Sequence, residues 1–413
     1  MNNPSKLPEL PELPNFKCPH FLREHIAKTM AFYHPNCIDP SGGFYHYFKD
    51  DGQVYDPYSR HLVSSTRFIF NYAMAYRHFQ NPEYLQQVEH GIHFLRSVHR
   101  HSDTGAYAWQ LTWKNGERNL IDADNHCYGL AFVMLAYAHA MMAGVTSARE
   151  YLAETFALME EKFWDADAGL YADQANEDWS ELRPYRGQNA NMHSCEALLA
   201  AFQATGHLPY LHRAEVIAYN ITVRQANLAD GMIWEHYHAD WRIDWEFNLH
   251  DKANLFRPWG FQPGHFTEWT KLLLILENYR AQLRHDTSWI LPRARTLFDT
   301  AFSVAWDQQH GGIHYGFAPD KSICDGDKYF WVQAESMAAA AYLAQRTGEE
   351  KYWSHYQDIW EYSWQHMIDH QYGAWFRILT VDNQKISDEK SPAGKTDYHT
   401  MGACYDILKV LAT

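Results

Sequence analysis

GGFYHYF (Gly42–Phe48) is the first of six short passages built alike: a turn-forming residue or two, then an aromatic. The others are TGAYAW (Thr104–Trp109), AGLYAD (Ala168–Asp173), DGMIWEHY (Asp230–Tyr237), GGIHYGF (Gly311–Phe317) and YGAWFRI (Tyr372–Ile378). One glycine from each (Gly43, Gly105, Gly169, Gly231, Gly312 and Gly373) gives steps of 62, 64, 62, 81 and 61 residues. A fixed period of this kind marks a repeated supersecondary unit. Long amphipathic stretches precede most of these turns, as at 150–164, 209–225 and 351–369, with apolar residues three and four apart, the helical period. A second apolar stretch follows each turn: 61–79, 125–142, 192–205, 266–283, 333–347 and 400–411. Several of these are nearly free of charge, SMAAAAYLA (Ser336–Ala344) among them, and a helix apolar all round belongs inside. Six charge-faced helices alternating with six buried ones predict two concentric rings. The fold class is therefore all-α, an (α/α)6 barrel with short β-segments in its loops. An open helical solenoid is the alternative, but its repeats run to only about 34–47 residues. The expected organisation is an N-terminal arm over residues 1–16, rich in proline, and one catalytic domain over 17–413.

Composition narrows the function. The 413 residues carry 35 Lys+Arg against 50 Asp+Glu, a net charge of −15, which argues against nucleic acid or an anionic membrane as partner. No apolar run reaches the roughly 20 residues of a membrane span, and the N-terminus lacks the apolar core of a secretory signal. The six cysteines are scattered with no CxxC pair, so a reducing cytoplasm is the expected location. Aromatics make up 16% of the chain, an excess that suits a large core and also the C–H faces of a free sugar.

In a closed barrel the starts of the inner helices converge on one mouth. There the sequence places Arg60-His61 with Arg67, Asn125-His126, Asn191-Met192-His193, Gly264-His265 with Glu268, Trp331 with Glu335, and Tyr398-His399. Five of six openings carry histidine, and imidazole can take and return a proton near neutral pH. A metal is not expected: HExxH is absent, and Glu235-His236-Tyr237-His238 has too common a spacing to carry weight. GxSxG, P-loop and GxGxxG patterns are also absent, so no nucleotide cofactor is implied. Basic residues do not cluster at the mouth in this reading, which argues against a sugar phosphate.

Three blocks of the sequence, RGQNANMH (Arg186–His193), PGHFTEW (Pro263–Trp269) and Asp397-Tyr398-His399, resemble signatures of the N-acylglucosamine 2-epimerase superfamily. The PGHxxEW form is most similar to its aldose–ketose isomerase branch. The resemblance spans about 21–411 and implies an (α/α)6 barrel acting on free monosaccharides without metal or other cofactor. It implies His265 and His399 as the acid/base pair, His193 as a third essential histidine, and Arg67 against the reactive oxygens. Asn189, Glu268, Trp331 and Glu335 fall at matching pocket positions, and the helix of His126 aligns too. The implied reaction moves a proton between C2 and C1, mannose to fructose, with D-lyxose as second substrate. Two alternatives remain open here. One is 2-epimerisation on the same groups. The other is an inverting glycoside hydrolase drawing two carboxyls from Asp122, Asp124, Glu196, Glu268 and Glu335. A non-catalytic binding role would leave the histidines unexplained.

Overall fold

In a computed structural model of the chain, residues 13–251, 254–283 and 286–412 are described. Among the described residues, twelve α-helices alternate between an outer and an inner ring. The outer ring is α1 (Pro19–Tyr33), α3 (Pro82–Phe94), α5 (Ala148–Lys162), α7 (Leu208–Tyr219), α9 (Ile290–Ala305) and α11 (Glu350–Tyr362). The inner ring is α2 (Leu62–Phe79), α4 (Cys127–Met142), α6 (Gln188–Thr205), α8 (Pro263–Gln282), α10 (Phe330–Thr347) and α12 (Tyr398–Leu411). Each inner helix packs on the next, and α12 packs back on α2, so the ring closes and the solenoid alternative falls.

The repeated glycines do one job. All six adopt positive φ, between 63° and 91°, a region where a side chain is strained. The chain reverses there as an outer helix ends, and a residue one or two positions after the glycine bridges back, Phe44 to Ile38, Tyr107 to Arg100, Ile313 to Trp306 and Trp375 to Ile368. Asp39, Asp165, Asp307 and Asp369 cap these turns through backbone N–H groups. Three outer helices, α3, α7 and α11, run through a π-helical turn into the reversal.

The inner helices form the core. Ala338, Ala339, Ala340 and Ala341 of α10 are fully buried, which lets neighbouring backbones approach. A larger residue there would overpack the ring, at a cost of ~1–3 kcal/mol. Most of the expected N-terminal arm, residues 1–16, falls outside the described residues. Residues 1–12 lie outside those described, but Phe16 is buried, stacked on Trp360 at 5.2 Å, with its carbonyl accepting from the Tyr356 hydroxyl. Among the described residues no helix is long and apolar enough to cross a membrane.

Candidate active site

The N-terminal ends of the inner helices surround a cleft of about 700 Å³, open at its mouth. Arg67 from α2, Asn189 and His193 from α6, His265 and Glu268 from α8, Trp331 from α10 and His399 from α12 all line it. Seven of the nine expected site residues thus share one cavity. Tyr128, Phe256, Tyr315, Tyr329 and Phe330 supply further aromatic wall.

Each of the three histidines is held from behind by a carboxylate. His193 Nδ1 meets Glu196 at 2.9 Å, one helical turn away on α6. His265 Nδ1 meets both oxygens of Glu235 at 2.9 Å. His399 Nδ1 meets Glu335 Oε1 at 2.7 Å. A carboxylate accepts, so each ring carries its proton on Nδ1. Each Nε2 has no hydrogen-bond partner among the described residues. Burial lowers the pKa of His193 against the pull of Glu196, and that of His399 to about 4 against the pull of Glu335. Both rings are neutral near pH 7 and able to accept a proton.

The supports are themselves supported. Gln188 donates to Glu235 Oε2 at 2.9 Å, and Trp269 Nε1 fixes Gln188 by donating to its oxygen at 2.7 Å. The Tyr398 hydroxyl donates to Glu196. Arg67 lies over the rings of Phe132 and Tyr398 at 4.4 and 4.8 Å, and donates to the Gly394 carbonyl and to Tyr128. Trp331 sits 5.0 Å from His265 and 5.8 Å from His399 between ring centres. Gly264 makes room for it, since a Cβ there would fall 2.5 Å from the indole.

Glu268 is different. It is 1% exposed, and neither carboxyl oxygen has a hydrogen-bond partner. Burial first, then the nearby Glu335, raises its pKa well above the usual carboxyl range. Glu268 is accordingly a neutral acid aimed into the cleft. Asn189 Oδ1 is likewise buried and unpartnered there.

Two expected residues stand elsewhere. Glu335 lies behind His399 and does not line the cleft, because its two oxygens are taken by that imidazole and by Lys271 at 2.6 Å. His126 stacks on Trp109 at 4.1 Å and faces a neighbouring cavity with Asn189, Tyr185 and Arg257. His61 also packs on Trp109, at 4.5 Å, and its side chain caps α2 at Val63. The hairpin of Gln110–Lys114 and Glu117–Asp122 places Trp109 between these two histidines and takes both out of the mouth. The expectation of few basic groups at the mouth also needs correction. Arg377 and Lys395 join Arg67 in the cleft wall, brought there by the long last loops. They are partnered, Lys395 with Asp397 at 2.6 Å and Arg377 with Glu389 at 3.5 Å. Burial lowers Lys395 to about 8 despite Asp397.

A family model for N-acylglucosamine 2-epimerase matches residues 43–403. The chain belongs to that family. A D-mannose isomerase of Marinomonas mediterranea is 55% identical over 96% of this chain and 99% of its own length. A crystal structure of a D-mannose isomerase, also 55% identical, superposes with a TM-score of 0.92 over 96% of this chain and all of that one. The cellobiose 2-epimerase of Spirochaeta thermophila, 22% identical, shares the fold with a TM-score of 0.81 over 97% and 99% of the two chains. This member is thus an enzyme of the isomerase and epimerase kind.

Two groupings in it carry donors that a cation would use: His193, Glu196 and Glu268, and Glu268, Glu335 and His399, each with donor atoms within 4.8 Å. In both, the histidine Nδ1 is already committed to its glutamate, and Lys271 holds the second oxygen of Glu335.

Proposed function

We propose that the chain is a metal-independent aldose–ketose isomerase that interconverts D-mannose and D-fructose, with D-lyxose and D-xylulose as a second pair, in the cytoplasm. The observation that carries the chemistry is the set of three imidazoles in one cleft, each backed by a carboxylate at Nδ1 and unpartnered at Nε2. The relative at 55% identity carries the sugar.

In this reading the pyranose opens first. His265 takes the proton of O1 on Nε2, and Glu235 stabilises the resulting imidazolium. Glu268, neutral in the resting cleft, is a ready donor to the ring oxygen O5. His399 Nε2 then removes the proton from C2. The electron pair moves into a C1–C2 double bond, and the C1 carbonyl oxygen regains the proton held by the His265 imidazolium, giving an enediol. Collapse to a carbonyl at C2 returns a proton from His399 to C1, and the O2 proton passes to the Glu268 carboxylate, which restores its acid form. Arg67 supplies planar donors to the oxygens where negative charge builds, a preorganised electrostatic contribution. His193, linked through Glu196 to Tyr398, assists at the oxygens. Trp331 packs against the sugar.

The hydrolase alternative loses its carboxyls. An inverting pair stands about 6.5–9.5 Å apart with water between. Glu268 has oxygens within 4.8 Å of Glu196 and of Glu335, and those two glutamates are occupied holding histidines. Asp122 and Asp124 do not line the cleft.

Incubation with D-mannose in D₂O, followed by NMR, tests the reading. Fructose should form with hydrogen at C1 from C2 or from solvent, and EDTA should leave the rate unchanged. Glucose as the sole product would mean epimerisation, and activity lost to EDTA and restored by a divalent ion would overturn metal independence.

A further inference from the structure

On the far side of the cleft floor, one cation stands among carboxylates. Lys271, six residues along α8 from His265, is almost fully buried. Its ammonium donates to Glu335 Oε2 at 2.6 Å and lies 3.8 Å from Asp406. Burial works against its charge, but Glu335 first, then Asp406 and Glu196, keep it protonated. Glu335 is therefore clamped, one oxygen on the ammonium and the other on His399 Nδ1–H. Burial alone would raise that carboxyl, yet Lys271 first and His399 next hold it below the usual range.

Lys271 does not line the cleft. It faces a separate cavity at the opposite end of the barrel, with Tyr342, Asp406 and Lys409. It therefore acts on a sugar at second hand, and its direct hydrogen bond is to Glu335. A neutral imidazole has one N–H, and the hydrogen bond at one nitrogen decides the state of the other. If Glu335 took a proton it would donate to Nδ1, and the ring N–H would move to Nε2, leaving no lone pair to accept hydrogen from carbon.

We propose that Lys271 is a positioning residue for proton transfer: by pinning Glu335 as a carboxylate it locks His399 in the Nδ1–H tautomer and turns the unprotonated Nε2 to the cleft. The proposal rests on the reading of His399 as the base, and its test separates the two. NMR of ¹⁵N-histidine-labelled enzyme without sugar, with His399 assigned by its loss in His399→Asn, should show the Nδ1–H tautomer in wild type. Lys271→Met should convert that ring to Nε2–H or to the doubly protonated form, and Lys271→Arg should restore Nδ1–H. With D-mannose, Lys271→Met should lower kcat roughly 10–100-fold, less than the ~10²–10⁴-fold of losing the base outright, and leave KM within about threefold. On a Glu335→Gln background the same substitution should cost less than about threefold, because coupled residues are not additive. An unchanged His399 tautomer in Lys271→Met, or losses that multiply in the double variant, would overturn the proposal. Should Lys271→Met fail to fold, Lys271→Met/Glu335→Gln leaves no uncompensated carboxylate at 335. Its rate against Glu335→Gln then decides: equal supports the lock, lower refutes it. The tautomer readout needs no substrate. A His399→Asn enzyme that keeps its kcat would therefore sink the base assignment without touching the NMR result.

Discussion

Glu235→Gln isolates the electrostatic half of the His265 support. The carboxylate is 2% exposed, touches His265 Nδ1 through both oxygens at 2.9 Å, and does not line the cleft. Glutamine keeps the volume and an acceptor oxygen but loses the charge. When His265 takes a proton from O1 it becomes an imidazolium, and the charge-assisted hydrogen bond that stabilises it is worth about 1.5–3 kcal/mol. The amide also sets an NH₂ near the Nε2 of Gln188, which Trp269 cannot allow to flip without losing its own 2.7 Å bond. The barrier to ring opening should rise by about 1.5–3 kcal/mol, roughly a 10–150-fold slower step. Magnetisation transfer between the mannose anomers reads that step directly, because enzyme-catalysed mutarotation requires the ring to open and reclose. Mutarotation should slow by that factor, kcat should fall no further than mutarotation does, and KM should stay within about threefold. A Glu235→Gln enzyme that melts like wild type and accelerates mutarotation within twofold of it would refute the assignment of His265 and Glu235 to ring opening.

Removal of the proposed carbon base, His399→Asn, should lower kcat by ~10²–10⁴ with little change in KM, measured by ketose formation on a protein checked by thermal melting. Retention of most of kcat would move the base to His193 or His265. Trp331→Ala should raise KM more than it lowers kcat, and unchanged kinetics would return the indole to a packing role. Acid should destabilise the fold early. Burial depresses His25 and His99 to about 4 and His61 and His139 to about 3, against 6.5 when unfolded. Between pH 6.5 and about 4 the unfolded chain therefore binds protons the folded chain refuses, so stability falls as pH falls, by up to ~1.4 kcal/mol per pH unit for each such histidine. The melting temperature should drop steeply over that window, and a flat profile would contradict the burial of these rings.

The repeat was legible because its signal is local. A glycine at positive φ followed by an aromatic recurs at each turn, and the inner helices betray themselves by lack of charge. The mouth histidines were legible only as a class, since sequence gives a residue's place in its repeat and not which way its neighbours push it. His61 and His126 open their helices as the pattern requires, yet Trp109 from an intervening hairpin packs against both. His193 stands six residues into α6, because the helix begins at Gln188 and not near Met192. Glu235 and His236 are neighbours in the sequence, at the entry to the short strand His236–Tyr237, yet their side chains find different partners. Glu235 turns to His265, and His236 turns to Tyr185 and the Pro258 carbonyl. Glu335 carried a pocket signal, but its pairing with Lys271 spans 64 residues and leaves no periodicity to read.

Two of the three histidine–carboxylate pairs join different elements, so the chemistry depends on the ring being shut. His399 shows how closure and catalysis coincide. The five residues before it stitch the last inner helix to the first. The Gly394 N–H donates to Ser64 at 2.8 Å, its carbonyl accepts from Arg67, and Asn71 donates to the Thr396 carbonyl at 2.7 Å. Asp397 then takes a left-handed conformation, φ 52°, unusual for a residue with a Cβ. Its carboxylate accepts from Tyr33 at 2.6 Å, from Lys395 at 2.6 Å and from Thr400 at 2.9 Å. Three buried donors offset a backbone cost of order 1–3 kcal/mol. The turn that they hold is the one that starts α12 and aims His399 at Glu335. A barrel whose seam had not closed would leave Arg67 without its carbonyl, Asp397 without Tyr33, and His399 without a fixed direction. In the proposed mechanism, proton transfer is thereby confined to the fully folded molecule, and the carbon chemistry turns on the site residue that comes last in the sequence.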